Sequence, residues 1–412
     1  MNKERLVIKN FGPIKSVDLE LGKMTVLIGD QATGKSTIAK VLAVCRYFSY
    51  IVNLKDIHSE KLEANEYFLR GLIDWGLLHC LSEKSEIVYK SELYEFEVVG
   101  KNVGSNSETF LVTYTKLTPN HESFKKLLDE LDNLRNDENM YNEKESLLGY
   151  HIKLEIWTPN ENFFRLNVKK VMNNPLYVST ERTLQTISFD KNLLIADALQ
   201  DNLKKINYIV RRTSKEKKIE PLSITYKNDS SGLGYIKKEN ESEYYPLHYG
   251  ASGYQATIPI ILSVKYYIEY EKKAKTFIIE EPELNLFPKT QKNLVAYFAE
   301  SMNVNNHSFL IPTHSPYILS SLNNLLYAHK IGNIENNQFG NQVNEIVPKQ
   351  FWLNPENVSV YYLENGVCKN LLNRDEGLID IDDLDSASEI INKEFDQLLS
   401  IDVEINNYNN DN

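Results

Sequence analysis

Gly29-Asp30-Gln31-Ala32-Thr33-Gly34-Lys35-Ser36-Thr37 has a glycine, four free positions and then Gly-Lys-Ser, the spacing of a phosphate loop. The chemistry this implies is anion capture. A tight loop entering a helix turns successive backbone N–H groups toward one point, where a phosphate can sit. Lys35 would then reach the β- and γ-phosphates of a nucleoside triphosphate, and the Ser36 hydroxyl would hold Mg²⁺. The surroundings agree. Met24 to Ile28 reads as a buried strand, and Ser36 to Phe48 reads as a helix carrying Ile38, Val41, Leu42 and Val44.

Three further stretches supply what a hydrolytic site needs. Phe277 to Glu283 is an apolar strand that ends in Glu280, Glu281 and Glu283. Adjacent carboxylates at a strand end can divide the work. Glu280 is suited to Mg²⁺, directly or through water, and Glu281 to polarising the water that attacks the γ-phosphate. Thr313-His314-Ser315-Pro316 follows the next apolar run, where an imidazole can hydrogen-bond the γ-phosphate or the attacking water. Tyr249 to Gln255 places Ser252 and Gly253 ahead of a helix from Ile258 to Tyr267, a second anion-binding arrangement or a simple N-cap.

The elements that must position these residues alternate between strand and helix. Arg5 to Asn10 and Ser16 to Leu21 pattern as a hairpin joined by Phe11 to Ile14. Leu176 to Val178, Thr276 to Ile279 and Ser308 to Ile311 read as buried strands, which points to an α/β fold with a mostly parallel sheet beside an antiparallel β-layer. Between them, residues 51–174 change character. A helix around Tyr67 to Trp75, a strand over Glu86 to Val99, a helical stripe from Phe124 to Leu134 and a strand over Tyr150 to Trp157 read as an inserted α+β subdomain. A hairpin with its turn at Glu364-Asn365-Gly366 and a last helix from Ser386 to Leu399 follow. The expected division is a core of 1–50 and 175–330, an insert of 51–174 and an extension of 331–412.

Composition narrows the class further. The 412 residues are 42% hydrophobic and 25% charged, ordinary values for a globular chain. No apolar run approaches the ~20 residues that span a bilayer. The N-terminal residues pass straight into a strand pattern without a secretory segment, and three scattered cysteines fit a reducing cytoplasm. The net charge of −11 opposes coating of nucleic acid over the whole surface. The run Lys204, Lys205, Arg211, Arg212, Lys215, Lys217 and Lys218 reads as a solvated helix face, with a local DNA contact as the alternative.

In this order, the phosphate loop, Ala-Ser-Gly-Tyr-Gln stretch, acid-ended strand and Thr-His-Ser-Pro resemble the ABC-class ATPase heads of the SMC/RecF and OLD groups. Glu280 to Pro288 is similar to their extended acid motif, as is Asn10 to Ile14 to the segment ahead of their phosphate loop. The compact form most resembles ATPase subunits of bacterial anti-phage systems such as PARIS and Septu. Three departures stand out, one being that the family's Gln-loop is not evident in this sequence. Glu280 occupies a position where many ABC ATPases carry Asp, and the signature is not Leu-Ser-Gly-Gly-Gln. Ser179 to Thr183 looks like a Pro-Ala-Glu-Arg-Ser stretch of compact relatives, with Arg182 or Gln185 as candidates for a catalytic role.

The resemblance implies a P-loop head with an inserted subdomain that binds ATP and Mg²⁺. Two copies would sandwich the nucleotide head to head, with Ser252 and Gly253 acting on the partner's γ-phosphate and Asn285 near the seam. It implies a regulatory scaffold that answers a phage-derived trigger and controls a separate effector protein, with no membrane involved. A RecF-type DNA clamp is one alternative. An OLD-type nuclease is the other, with Asp380, Asp382, Asp383 and Asp385 as its acids.

Overall fold

β1 (Glu4–Phe11) and β2 (Ile14–Leu21) form the expected hairpin, with Leu6, Ile8, Val17 and Leu19 turned inward and Asp18 and Glu20 outward. This is a computed structural model, and it describes residues 4–55, 61–91, 94–102, 108–116, 153–157, 163–167, 175–180, 182, 196–212, 216–272, 274–334 and 339–380. β3 (Met24–Ile28) is buried along its whole length and feeds the helix Lys35–Lys55, which is followed by the helix Lys61–Asp74. The alternating stretch from Glu86 is two strands, not one. β4 (Glu86–Lys90) and β5 (Tyr94–Asn102) fold back so that Lys90 pairs with Glu95, and β6 (Glu108–Lys116) continues the meander. β7 (Lys153–Trp157) and β8 (Phe163–Asn167) make a separate hairpin. The predicted helix over Phe124 to Leu134 and the last helix from Ser386 lie outside the described residues.

β9 (Leu176–Val178) and the helix Asp197–Arg212 lead into a four-stranded antiparallel sheet that the sequence reading did not foresee. Its strands are β10 (Lys217–Ile219), β11 (Ile224–Asn228), β12 (Gly234–Lys238) and β13 (Tyr245–Pro246). The helix Ser252–Tyr266 comes next, starting at the signature serine itself. β14 (Thr276–Ile279), the helix Pro288–Asn305, β15 (Ser308–Thr313) and the helix Pro316–Gly332 complete the alternating run. A short helix, Gly340–Ile346, precedes β16 (Val358–Glu364) and β17 (Val367–Asn370), and β18 (Leu372–Asn373) pairs with β19 (Leu378–Ile379).

The main sheet has eleven strands in the order β6-β5-β4-β1-β2-β17-β16-β3-β15-β14-β9. From β16 to β9 the strands are parallel, and from β2 to β6 they are antiparallel, so the two predicted layers are one continuous sheet. It runs across each of the expected boundaries at about residues 50, 175 and 330, because β4 to β6 extend one edge and β16 enters the middle.

Apolar residues on both faces explain why the parallel strands read as unbroken hydrophobic runs. On one face Val26, Ile28, Phe277, Ile279, Ile311 and Val360 pack with the helices 252–266, 288–305 and 316–332. On the other, Leu27, Ile278, Leu310 and Leu363 pack with Ile38 and Leu42 of the helix after the phosphate loop. That helix is also tied to β1 by charge. Arg46 donates to both Glu4 carboxylate oxygens at 2.8 and 2.7 Å, and the Tyr89 hydroxyl donates to Glu4 at 2.6 Å. Burial pushes the Glu4 carboxyl up, but the Arg46 charge and hydrogen bonds outweigh it and hold the group below its ordinary value.

Within the sheet, the β16–β17 hairpin joins the parallel half to the β1–β2 hairpin, with β17 beside β2 and β16 beside β3. Its turn also docks on that hairpin, where the Gly366 carbonyl accepts the N–H groups of Lys15 and Ser16 at 2.8 and 3.0 Å. Replacing Val360, which is fully buried, with Asp puts an unpaired charge between β3 and β17. A loss of at least about 3 kcal/mol in urea unfolding is expected. Unchanged stability would mean that this strand does not close the sheet.

Candidate nucleotide-binding site

The phosphate loop begins where β3 ends. Gly29 (φ 153°), Ala32 (φ 62°) and Gly34 (φ 101°) take positive φ values, and the chain then enters the helix at Lys35. A Cβ on Gly29 would stand 2.2 Å from the Leu363 carbonyl of β16, so this position is closed to any side chain. Asp30, Gln31, Ala32 and Ser36 face solvent, while Thr33 and Thr37 are half-buried. The Thr33 hydroxyl donates to the Asp30 carbonyl at 2.9 Å, which fixes the loop's shape from within.

Lys35 is buried and its Nζ lies at the centre of the site. It donates to the Gly29 and Asp30 carbonyls, each at 2.7 Å, and approaches Thr33 Oγ1 at 3.3 Å and His314 Nδ1 at 3.4 Å. Burial lowers its pKa to about 8, against the pull of Glu281, Asp30 and Glu283 toward the charged form.

The other side of the cradle comes from β14 and β15. His314 Nε2 faces Glu281 Oε1 at 3.4 Å, so the imidazole stands between the lysine and the expected catalytic carboxylate. Glu281 sits in the left-handed region at φ 43°, an uncommon conformation for a residue with a long side chain. It is held there because its N–H donates to the Pro312 carbonyl at 2.8 Å, bridging the two strand ends. Glu283, quoted in the sequence reading without a role, orients the histidine. Its Oε1 accepts the Thr313 hydroxyl at 2.6 Å and the His314 N–H at 2.8 Å. Ser315 donates to Gln291 Oε1 at 2.5 Å, which ties the same corner to the helix 288–305.

Two carboxylate oxygens here are buried without a hydrogen-bond partner among the described residues, Glu280 Oε1 and Glu283 Oε2. Buried lone pairs of this kind are costly unless something positive satisfies them. The donor set, hard oxygens beside a phosphate loop, fits Mg²⁺, with Glu280 and the exposed Ser36 hydroxyl as the groups that would hold it.

Ser252 is exposed on the first residue of its helix, and Ala251, not Ser252, occupies the cap position. The serine is therefore not a simple N-cap. Gly253 lies against the acid turn, where a Cβ would come within 2.6 Å of the Asn285 carbonyl. No hydrogen bond or ion pair among the described residues joins Ser252 or Gly253 to Lys35, Glu281 or His314. Thus the structure gathers Lys35, His314, Glu281 and Glu283; Ser252 is exposed, as are Tyr249 and Phe287.

Arg182, a candidate for a catalytic role by sequence, makes its described hydrogen bonds to backbone carbonyls. Gln185 lies outside the described residues. Three of the six described members of the basic run meet carboxylates and a fourth lies over an aromatic ring. Lys204 meets Asp201 at 3.0 Å, Lys218 meets Glu239 at 2.9 Å, Lys217 pairs with Glu269, and Arg212 lies over the Tyr208 ring. That is the solvated-face reading; Lys215 lies outside the described residues. Of the four tail acids only Asp380 is described, and no metal-binding cluster occurs among the described residues.

The comparisons agree with this geometry. The chain belongs to the AAA ATPase domain family AAA_15. The match covers residues 1–319, from β1 through the start of the helix that follows His314. It is a P-loop ATPase domain of α/β class. No curated protein matches it. Among solved structures it is similar to an SMC head bound to the C-winged helix domain of ScpA, with 11% identity, TM-score 0.42, and 89% of this chain and 95% of that one covered. It is likewise similar to an SMC head from Thermotoga maritima (11%, TM-score 0.38, 90% and 98% covered). A third is an Smc head with an extended coiled coil bound to the C-terminal domain of ScpA derived from Pyrococcus furiosus (11%, TM-score 0.42, 94% and 98%). Likeness at these scores carries no further argument. No helix among the described residues is long and apolar enough to cross a membrane.

Lys35 gives the site a pH dependence of definite sign. Only the protonated ammonium attracts phosphate, so affinity for ATP is full below about pH 8 and falls as pH rises through that value, by up to ~10-fold per unit. A fluorescent ATP analogue titrated from about pH 7 to about pH 9.5 measures this. Lys35→Ala should weaken binding about 100-fold and abolish the slope.

Proposed function

We propose that the chain binds and hydrolyses ATP, and that a second copy completes the site. The observation that carries this reading is the imidazole of His314, 3.4 Å from Lys35 Nζ on one side and 3.4 Å from Glu281 on the other. One triphosphate can touch all three. Lys35 and the loop N–H groups hold the β- and γ-phosphates. Glu281 orients the attacking water and accepts its proton. His314, fixed by Glu283 and Thr313, hydrogen-bonds the γ-phosphate on the same side. Mg²⁺, held by Ser36 and Glu280, supplies positive charge against the phosphate oxygens.

Ser252 supports the head-to-head arrangement. It is exposed at a helix N-terminus, and the next residue, Gly253, packs against the Asn285 turn. In a symmetric dimer that helix end would seal the partner's γ-phosphate, so ATP joins the copies and hydrolysis releases them. On this reading the chain is the regulatory scaffold and sensor of a bacterial anti-phage system. A phage-derived trigger would act through it on a separate effector protein, expected as the product of an adjacent gene. The sequence resemblance supports that part, and the pairing of Lys204, Lys217 and Lys218 with carboxylates favours it over a DNA clamp.

Glu281→Gln should keep its nucleotide, lose about 100-fold or more in turnover and accumulate as an ATP-bound dimer in light scattering. Equal turnover in the two proteins would remove Glu281 from its role. Ser252→Arg should bind ATP as a monomer; a dimer of wild-type strength would discard the shared site.

A further inference from the structure

Arg182 is fully buried, at 0% exposure, and none of its described hydrogen bonds reaches the phosphate loop. Its guanidinium grips the backbone of three elements at once. Nε donates to the Ala256 carbonyl at 2.8 Å, in the first turn of the signature helix. Nη1 donates to the Ser179 carbonyl at 2.9 Å, just beyond β9, and to the Glu280 carbonyl at 2.8 Å. Nη2 donates to the Glu281 carbonyl at 2.6 Å.

The guanidinium is a rigid plane, so its donors move together. A shift of Ala256 toward or away from a partner molecule cannot be absorbed at Nε alone. It tilts Nη2 against the carbonyl of Glu281, the residue held at φ 43°. A backbone in that region keeps its shape only while its surroundings enforce it. The other hydrogen bonds of the Glu281 backbone, its N–H on the Pro312 carbonyl and its carbonyl to the Leu284 N–H, reach β15 and the acid turn. Gly253 touches that turn at Asn285, and the guanidinium is the hydrogen-bonded link from the signature helix to Glu281 itself.

We propose that Arg182 is a positioning residue that couples the seat of Ser252 to the carboxylate of Glu281, so that the signature helix controls hydrolysis and leaves nucleotide binding alone. This rests on the hydrolytic reading of the site given above. The bond pattern also accounts for the residue type, since a lysine ammonium keeps the charge but cannot reach Ala256 and Glu281 along two fixed directions.

The full-length chain carrying Arg182→Lys or Arg182→Met tests this, through ATP turnover, binding of a fluorescent ATP analogue, and amide exchange at residues 252–258 and 280–284. Expected is a fall in kcat of about 100-fold with KM and analogue affinity nearly unchanged. In wild type, a non-hydrolysable ATP analogue should protect both segments together. In Arg182→Lys, protection should remain at 252–258 and vanish at 280–284. Turnover kept in both variants, affinity lost in proportion to kcat, or joint protection retained in Arg182→Lys would each overturn the proposal. If wild type shows no turnover, the hydrolytic reading fails while exchange still decides the coupling. If neither variant folds, wild-type segments that exchange independently overturn it.

Discussion

Ile28 stands level with Thr313 on one side and with Tyr362 on the other, in ladders that run parallel through β15, β3 and β16. β14 joins the same register, pairing Ile278 with Leu310, so the carboxyl ends of four strands finish at one edge. The loop after β3, the acids after β14 and the histidine after β15 leave that edge side by side. Parallel ladders align successive strand ends without any contact between the residues that follow. The 3.4 Å separations around His314 are therefore a product of backbone register, refined by Glu283 and by the Glu281–Pro312 bond. A slip of one residue in β15 would turn its side chains to the opposite faces of the sheet.

The same strands show why much of the site was readable in advance. Each functional residue follows an unbroken apolar run, and such runs with glycine or proline beside them mark buried strands in sequence. Lys35, Glu281 and His314 could be nominated because their neighbours were so plainly interior. The structure adds what spacing cannot carry, namely which strands are adjacent. Nothing in Val358 to Asn370 tells that this hairpin inserts between β3 and β2, since a hairpin pattern is the same at an edge and in the middle. The sheet of β10 to β13 was hidden for another reason. Its strands are two to five residues long and carry several lysines, leaving Ile219, Ile224, Tyr226 and Ile236 as too sparse a pattern. Arg182 is the clearest case. An arginine in a polar stretch gives no sign that its charge will be wholly enclosed.

Two buried guanidinium groups divide the structural work differently. Arg46 pairs with the Glu4 carboxylate and fixes the helix after the phosphate loop to the β1 layer. Its partners are side chains, and removing one leaves the other charge stranded in the interior. Arg182 reaches backbone carbonyls of three segments, so its bonds register where the main chain lies. The first suits a joint that stays fixed. The second suits one that reports displacement.

The late position of β16 in the chain sets the order in which the molecule can form during synthesis. β3 and β15 are complete long before residues 358–364 emerge from a ribosome, yet β3 lacks one of its two neighbours until they do. Contacts of such wide sequence separation form slowly and late. The Leu363 carbonyl that lies against Gly29 belongs to this strand, so the triphosphate cradle takes its final shape only when nearly nine-tenths of the chain has been made.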